Sequence, residues 1–253
     1  MPLKDNSKVL ITGASGMLGQ SLIKKFPESV ALLGRSKLNL LNKGDVLEWF
    51  GDKNFDTIIH SAAITNLKKS NQNPQESLFL HAEIIKEVLQ ERCKKIIYIS
   101  TVPVWEKENY NDSCVYFRTK RAGEHNTLLN SNNLVIRTNI YGDGGLCRWA
   151  LDNLKLGNTI YGYTNSIFNP VHVDQLSDVI EKALEENFCG LRTICSDKIM
   201  SKYDFLHRAL KIWNFPEVLL KKTELEEKQN LILNNDDIQL SFDKGVKKIN
   251  ELF

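Results

Sequence analysis

The sequence predicts an α/β fold, a doubly wound parallel sheet with a smaller C-terminal lobe. Three observations predict it. Short apolar runs alternate with amphipathic segments through the first 140 residues. A glycine-rich turn, Gly13-x-x-Gly16-x-x-Gly19, follows the first of those runs and opens the first amphipathic segment. Past residue 140 the strand–helix rhythm loosens. At 253 residues the chain can bury a full core as a main domain and a lobe, 1–140 and 141–253, the second partly interleaved with the main sheet.

The first run, Val9-Leu10-Ile11, reads as a buried strand, and Met17, Leu18, Leu22, Ile23 and Phe26 as the apolar face of a helix. Between them Gly13 permits a tight turn and Gly16 lets backbone approach a pyrophosphate. Gly19 allows close packing of the helix, whose N-terminal N–H groups and dipole suit phosphate. A dinucleotide site is the expectation, in a fold of the Rossmann type.

Val30-Ala31-Leu32-Leu33-Gly34 is the second expected strand. An acidic residue commonly follows it in NAD binders, to hold the adenosine ribose hydroxyls. This chain has Arg35-Ser36 instead, and a guanidinium suits a 2′-phosphate, so NADP is favoured over NAD. A helix over 45–50 and the strand Asp56–His60 lead into Ser61-Ala62-Ala63, whose small side chains leave room for a cofactor. A long helix is expected after Pro74, with Leu78, Ile84, Ile85, Val88 and Leu89 as its core face and His81 as a structural residue.

The strand Lys95–Ile99 delivers Ser100-Thr101 to the sheet edge where ligands bind in open parallel sheets. Tyr116 and Lys120 follow, four apart on one face of a helix that continues through Leu129. A neighbouring ammonium lowers a phenol pKa, which would ready Tyr116 to hand a proton to a carbonyl. Such pairs arise readily by chance with seven tyrosines; the placement after Ser-Thr gives this one its weight. The strand Leu134–Thr138 ends the alternation. Helices are expected at 146–156, 173–187, 201–213 and 240–253, and short strands near 159–161 and 191–195. His172, in the turn Asn169–Asp174, reads as a structural contact at a helix start with no evident carboxylate partner.

Bulk properties narrow the partners. A net charge of +2 with Lys and Glu interleaved gives no basic face for nucleic acid. Five cysteines without a CxxC pair, no apolar run of membrane length and no signal peptide point to a reduced, cytoplasmic protein away from membranes. No metal-ligand spacing stands out.

Taken together the motifs resemble those of the extended short-chain dehydrogenases/reductases. They are Thr12–Gly19, His60–Ala63, Ile99–Thr101, Tyr116-Phe117-Arg118-Thr119-Lys120-Arg121-Ala122-Gly123-Glu124 and Arg137–Gly142, with Asn169–Val173 extending the match. Within that superfamily the chain is most similar to the dTDP-4-dehydrorhamnose reductase group. The resemblance implies a nucleotide-sugar substrate, a keto group reduced at the expense of NADP, and a role in surface polysaccharide or deoxysugar synthesis. It implies that Gly13, Ser15, Gly16, Met17 and Leu18 line the pyrophosphate, with Arg35 at the adenosine ribose. Ser61, Ala62, Ala63, Thr138 and Asn139 would border the cofactor. Tyr116 would donate the proton, Thr101 would hold the carbonyl oxygen, and Lys120 would hold the nicotinamide ribose and acidify Tyr116.

The resemblance also implies a homodimer through two helices of the main domain. Val102-Pro103 after Thr101 depart from the group, as do Lys68, His81 and a short loop before Tyr116. The missing Asp-Glu pair disfavours dehydration, and Val102 stands where GDP-sugar epimerases have Cys. A nucleotide-sugar epimerase and a non-catalytic NAD(P)-binding regulatory subunit are the alternative readings.

Overall fold

The computed structural model describes residues 8–32, 38–101, 114–233 and 237–252. The chain divides into two compact units, Met1–Arg137 with Ser177–Arg192, and Thr138–Leu176 with Thr193–Phe253.

In the first unit the strands β1 (Val9–Thr12), β2 (Val30–Ala31), β3 (Phe55–His60), β4 (Cys93–Ser100) and β5 (Leu134–Thr138) lie in the order β5-β4-β3-β1-β2. Every neighbouring pair is parallel. The expected α/β sheet is therefore present. After β1 the chain turns to one side for β2 and then to the other for β3, so the order reverses between β1 and β3. In open parallel sheets that reversal leaves a crevice at the carboxyl ends of the strands.

Register explains why these runs are strands. Leu10 stands beside Ile58 and Ile58 beside Ile96, while Tyr98 stands beside Val135. All five are buried in one cluster with Val46 and Phe50 of helix α2 (Lys43–Phe50) and with Ile84 and Ile85. The alternate residues Ile11, Ile59, Ile97 and Ile136 point to the opposite face and are equally buried. Each such side chain contributes about 1.5–3 kcal/mol on leaving water. Helix α1 (Met17–Lys25) is joined to the later helix 173–185 by a hydrogen bond from Ser177 to Ser21 (2.9 Å) and by Lys25 pairing with Asp178 and Glu181.

The single long helix expected after Pro74 is not what forms. After α3 (Leu67–Gln72) come α4 (Pro74–Leu78), one π turn over Phe79–Glu83, and α5 (Ile84–Glu87). In the π turn the Ile84 N–H reaches back to the Phe79 carbonyl, one residue further than an α-helix allows. Within this turn the two ring nitrogens of His81 bond outside the helix, to Ile64 and Thr119. Helix α6 (Val115–Leu128) starts with its first N–H donating to the Asn71 side chain (3.0 Å). It packs so closely that a Cβ on Gly123 would lie 2.0 Å from the His81 carbonyl oxygen and 2.4 Å from the Tyr98 hydroxyl.

The second unit holds short parallel pairs and a small mixed sheet. β6 (Ile140–Tyr141) pairs with β9 (Val171–His172), and β7 (Ile160–Tyr163) pairs with β12 (Leu220–Thr223). β8 (Ser166–Phe168) lies between β11 (Met200–Ser201) and β13 (Gln229–Leu231). Residues 194–196 of β10 (Gly190–Ser196) pair with β14 (Ile238–Leu240). The helices are α7 (Gly145–Lys155), α8 (Val173–Glu185, entering the first unit at Ser177), α9 (Lys202–Ile212) and α10 (Phe242–Val246). Their core is aromatic, with Phe205 between Tyr141, Phe168 and Phe242. Ser201 and Asp204 close a capping box at the start of α9.

The expected C-terminal helix is only one turn of α, α10, before a 3₁₀ segment over Lys247–Leu252. There the Trp213 indole N–H donates to the Ile249 carbonyl at 3.0 Å, a tertiary bond. His172, expected to lack a carboxylate, has Asp174 at 3.7 Å; its Nδ1 accepts the Asp174 N–H. Among the described residues no helix is long and apolar enough to cross a membrane.

Candidate active site

At the β1 end the site is made of backbone. Gly13 has φ +69°, and a Cβ there would fall 2.6 Å from the Ala62 nitrogen, so the glycine is fixed by the close approach of β1 to the chain leaving β3. A Cβ on Gly19 would lie 2.3 Å from the Gly13 carbonyl oxygen. Here the expectation needs refining, because Gly19 lets α1 close on its own entering turn. Ser15 and Gly16 are exposed and Met17 half-buried, while Leu18 is in the core. The start of α1 has no side-chain cap and no acidic residue in its first turn. Its N–H groups and positive dipole end thus fit an anion. These residues fit the pyrophosphate of a dinucleotide.

The β3 end is braced beneath this turn. The His60 Nε2–H donates to the Leu80 carbonyl (2.9 Å), leaving Nδ1 to accept from the Thr12 hydroxyl (2.8 Å). Desolvation holds His60 neutral, with a pKa pulled down to about 4. Ser61 donates to the Thr12 carbonyl at 2.7 Å, so its hydroxyl is engaged within the fold. Ala62 is buried and Ala63 half-buried, which keeps this edge low. Arg35 lies outside the described residues. Thr138 and Asn139 belong to the second unit. The Thr138 hydroxyl is buried without a hydrogen-bond partner, whereas the Asn139 amide donates to the Leu231 carbonyl (2.7 Å).

At the β4 end the site is made of side chains. Thr101 follows β4, and its hydroxyl is hydrogen-bonded to the Tyr116 phenol. One turn along α6, the Lys120 ammonium donates to the Ile99 carbonyl at 2.6 Å and lies 4.1 Å from the centre of the Tyr98 ring. The three expected catalytic residues are thus brought together, but not with the expected electrostatics. Burial pushes the Tyr116 phenol up to about 12 against the opposing pull of the Thr101 bond. The same desolvation pulls Lys120 down to about 7, only partly offset by Glu124. The Lys120 ammonium is turned to the Ile99 carbonyl and the Tyr98 ring, and at Tyr116 burial outweighs what lowers the phenol. Tyr116 is accordingly a held proton at neutral pH.

The sequence reading missed two supports. His81 is fully buried; its Nε2 accepts the Ile64 N–H (2.9 Å), and its Nδ1–H donates to Thr119 (2.8 Å), whose hydroxyl donates to the Val115 carbonyl (2.8 Å). Its ring stands edge-on to Tyr116 with 5.6 Å between centroids, and burial holds its pKa near 2. Glu124 is the second. It accepts from Ser100 (2.6 Å) and from Arg137 through Nε (2.9 Å) and Nη2 (2.6 Å). The signal for Glu124 was its place one turn beyond Lys120; nothing in the sequence signalled the ring contacts of His81.

Comparison with known proteins bears on this arrangement. Residues 7–230 match the RmlD substrate binding domain. The spore coat polysaccharide biosynthesis protein SpsK of Bacillus subtilis (strain 168) is 25% identical over 219 residues, covering 79% of this chain and 77% of that protein. A dTDP-4-dehydrorhamnose reductase of Aggregatibacter actinomycetemcomitans is 26% identical over 225 residues, covering 79% and 76%. The fold is shared with a dTDP-4-dehydrorhamnose reductase from Bacillus anthracis str. Ames solved in complex with NADP, at a TM-score of 0.84 and 22% identity, over 96% of this chain and 98% of that one. With its family model matched over most of its length, the chain belongs to the RmlD substrate binding domain family, within the extended short-chain dehydrogenase/reductase superfamily.

Proposed function

We propose that this protein is an NADP-dependent reductase of a nucleotide-activated keto-sugar, serving surface polysaccharide or deoxysugar synthesis. The observation that carries the reading is the Thr101–Tyr116 hydroxyl pair with Lys120 one helical turn on, at the carboxyl edge of a sheet whose first turn fits a pyrophosphate. Names of relatives support the substrate class: two are dTDP-sugar reductases and one a polysaccharide biosynthesis protein.

Gly13, Ser15, Gly16, Met17 and Leu18 hold the pyrophosphate, Arg35 the adenosine end, and Ser61, Ala62, Ala63, Thr138 and Asn139 border the cofactor. When bound, NADPH supplies hydride to the carbonyl carbon. Thr101 fixes the carbonyl oxygen against the Tyr116 hydroxyl. Tyr116, holding its proton at neutral pH, gives it up as that oxygen becomes an alkoxide. Lys120, one turn along α6 from Tyr116 and with its pKa pulled down by burial, supports recharging of Tyr116 from water. The lobe beyond residue 140 takes the sugar nucleotide. Among the described residues the five cysteines form no disulfide.

The test is NADPH oxidation against a panel of nucleotide 4-keto-sugars, with NADH and Tyr116→Phe as controls. Turnover that needs Tyr116 supports the reductase. NADPH binding without turnover on any member of the panel turns the reading to a regulatory subunit, and retained cofactor with no net oxidation turns it to an epimerase.

A further inference from the structure

The catalytic face of α6 continues one turn past the residues already assigned. Tyr116, Lys120 and Glu124 are spaced four apart, and each reaches the end of β4: Tyr116 to the Thr101 hydroxyl, Lys120 to the Ile99 carbonyl, Glu124 to the Ser100 hydroxyl. Glu124 is only 1% exposed. Its carboxylate is gripped on both oxygens by Arg137 in a bidentate pair and so cannot swing away to water. A buried carboxylate in such a clasp acts on whatever charge shares its pocket.

Lys120 shares that pocket. The ionisable groups around it are Tyr98 from β4, His60 from β3, His81 from the π turn, and Tyr116 and Glu124 from α6, with Arg137 of β5 behind Glu124. Both histidines are neutral and both phenols keep their protons. Of these groups Glu124 is the one carboxylate.

We propose that Glu124, clasped by Arg137 and Ser100, is a positioning residue for the reaction: it keeps Lys120 a cation and fixes the strand end that presents Thr101. The proposal rests on the reductase reading for its purpose, and on geometry for its content. Arg137 is the counterweight, because it draws on the same carboxylate. Removing the carboxylate takes away the charge that supports the Lys120 ammonium and breaks the bidentate pair to Arg137. Removing the guanidinium takes away the cation that competes with Lys120 for the carboxylate, while Ser100 still donates to it. The two changes act on Lys120 in opposite directions.

The experiment follows the ¹³Cε resonance of Lys120 through a pH titration in ¹³C-lysine protein, assigned with Lys120→Gln. It compares wild type, Glu124→Gln, Glu124→Asp and Arg137→Gln, with NADPH-dependent turnover measured alongside. Glu124→Gln is expected to lower the midpoint by about one pH unit or more, Glu124→Asp to restore part of it, and Arg137→Gln to raise it. At pH 7 Glu124→Gln should lower kcat with little change in KM. A midpoint that stays put in whichever of the variants folds overturns the proposal. The resonance is read without substrate, so a chain that reduces no keto-sugar but shows the opposed shifts rejects the reductase reading and keeps the clasp.

Discussion

The two ends of the candidate site sit on β1 and β4, two strands of one sheet with β3 between them, and are built by opposite means. At the β1 turn every requirement is for something missing: no side chain at Gly13 or Gly19, no cap and no acid at the start of α1. At the β4 end every requirement is for an ionisable group held in a dry place, Tyr116, Lys120 and Glu124 along one helix face. Backbone and dipole recognise a phosphate whatever the pH, because neither titrates. Side chains that move protons depend on how much water they have lost. The lesson is that spacing specifies the first kind of site, and burial specifies the second.

The largest break in that contrast comes from Tyr116→Phe. It should lower turnover by about 10²–10⁴-fold while NADPH affinity, measured by fluorescence, stays near wild type. Gly13→Ala should do the reverse, losing cofactor affinity before chemistry is reached, since its Cβ collides with backbone rather than with a movable side chain. Next comes Gly123→Ala, which costs about 3 kcal/mol of unfolding free energy by overpacking, because α6 must retreat from the His81 carbonyl. Thermal denaturation measures it.

The pH dependence of stability sharpens the comparison further. His60 and His81 refuse protons in the fold, with values near 4 and 2, that an unfolded chain accepts below about 6.5. The unfolded state therefore binds more protons between these values, and stability must fall as pH drops below 6.5. The slope is about 1.4 kcal/mol per pH unit for each histidine. Urea titrations from pH 7.5 to 4.5 would show it, and His60→Gln should roughly halve the slope. The smallest effect is expected at the surface: Lys25→Ala, cutting the exposed pairs to Asp178 and Glu181, should cost about 0.2–1 kcal/mol.

Much of this was legible in advance, and for physical reasons. Parallel strands buried on both faces write continuous apolar runs, so β1, β3, β4 and β5 stand out in the chain. A glycine turn is legible because only glycine tolerates its geometry. The Tyr116–Lys120 pair was legible as a spacing but not as an electrostatic state. Sequence carries no record of how dry a pocket is, and dryness moved both groups away from the expected acidified phenol. His81 is held by Ile64 and Thr119, 17 and 38 residues away, and neither those bonds nor the π turn around it is visible in the sequence. Glu124 and Arg137 were in view only as letters of a motif; their pairing required β5 to lie beside β4.

The π turn at Phe79–Glu83 also bears on how this chain could have changed length. One residue inserted into an α-helix rotates everything after it by about 100°, which would turn Ile84, Ile85, Val88 and Leu89 out of the core they share. Confining the surplus residue to a single wide turn absorbs that rotation. The helix before the turn and the helix after it keep separate phases, and each answers to its own neighbours. A one-residue deletion within 79–83 is therefore the indel this region should survive best: the apolar face of α5 would stay seated, while the imidazole that bridges Ile64 and Thr119 would lose its reach.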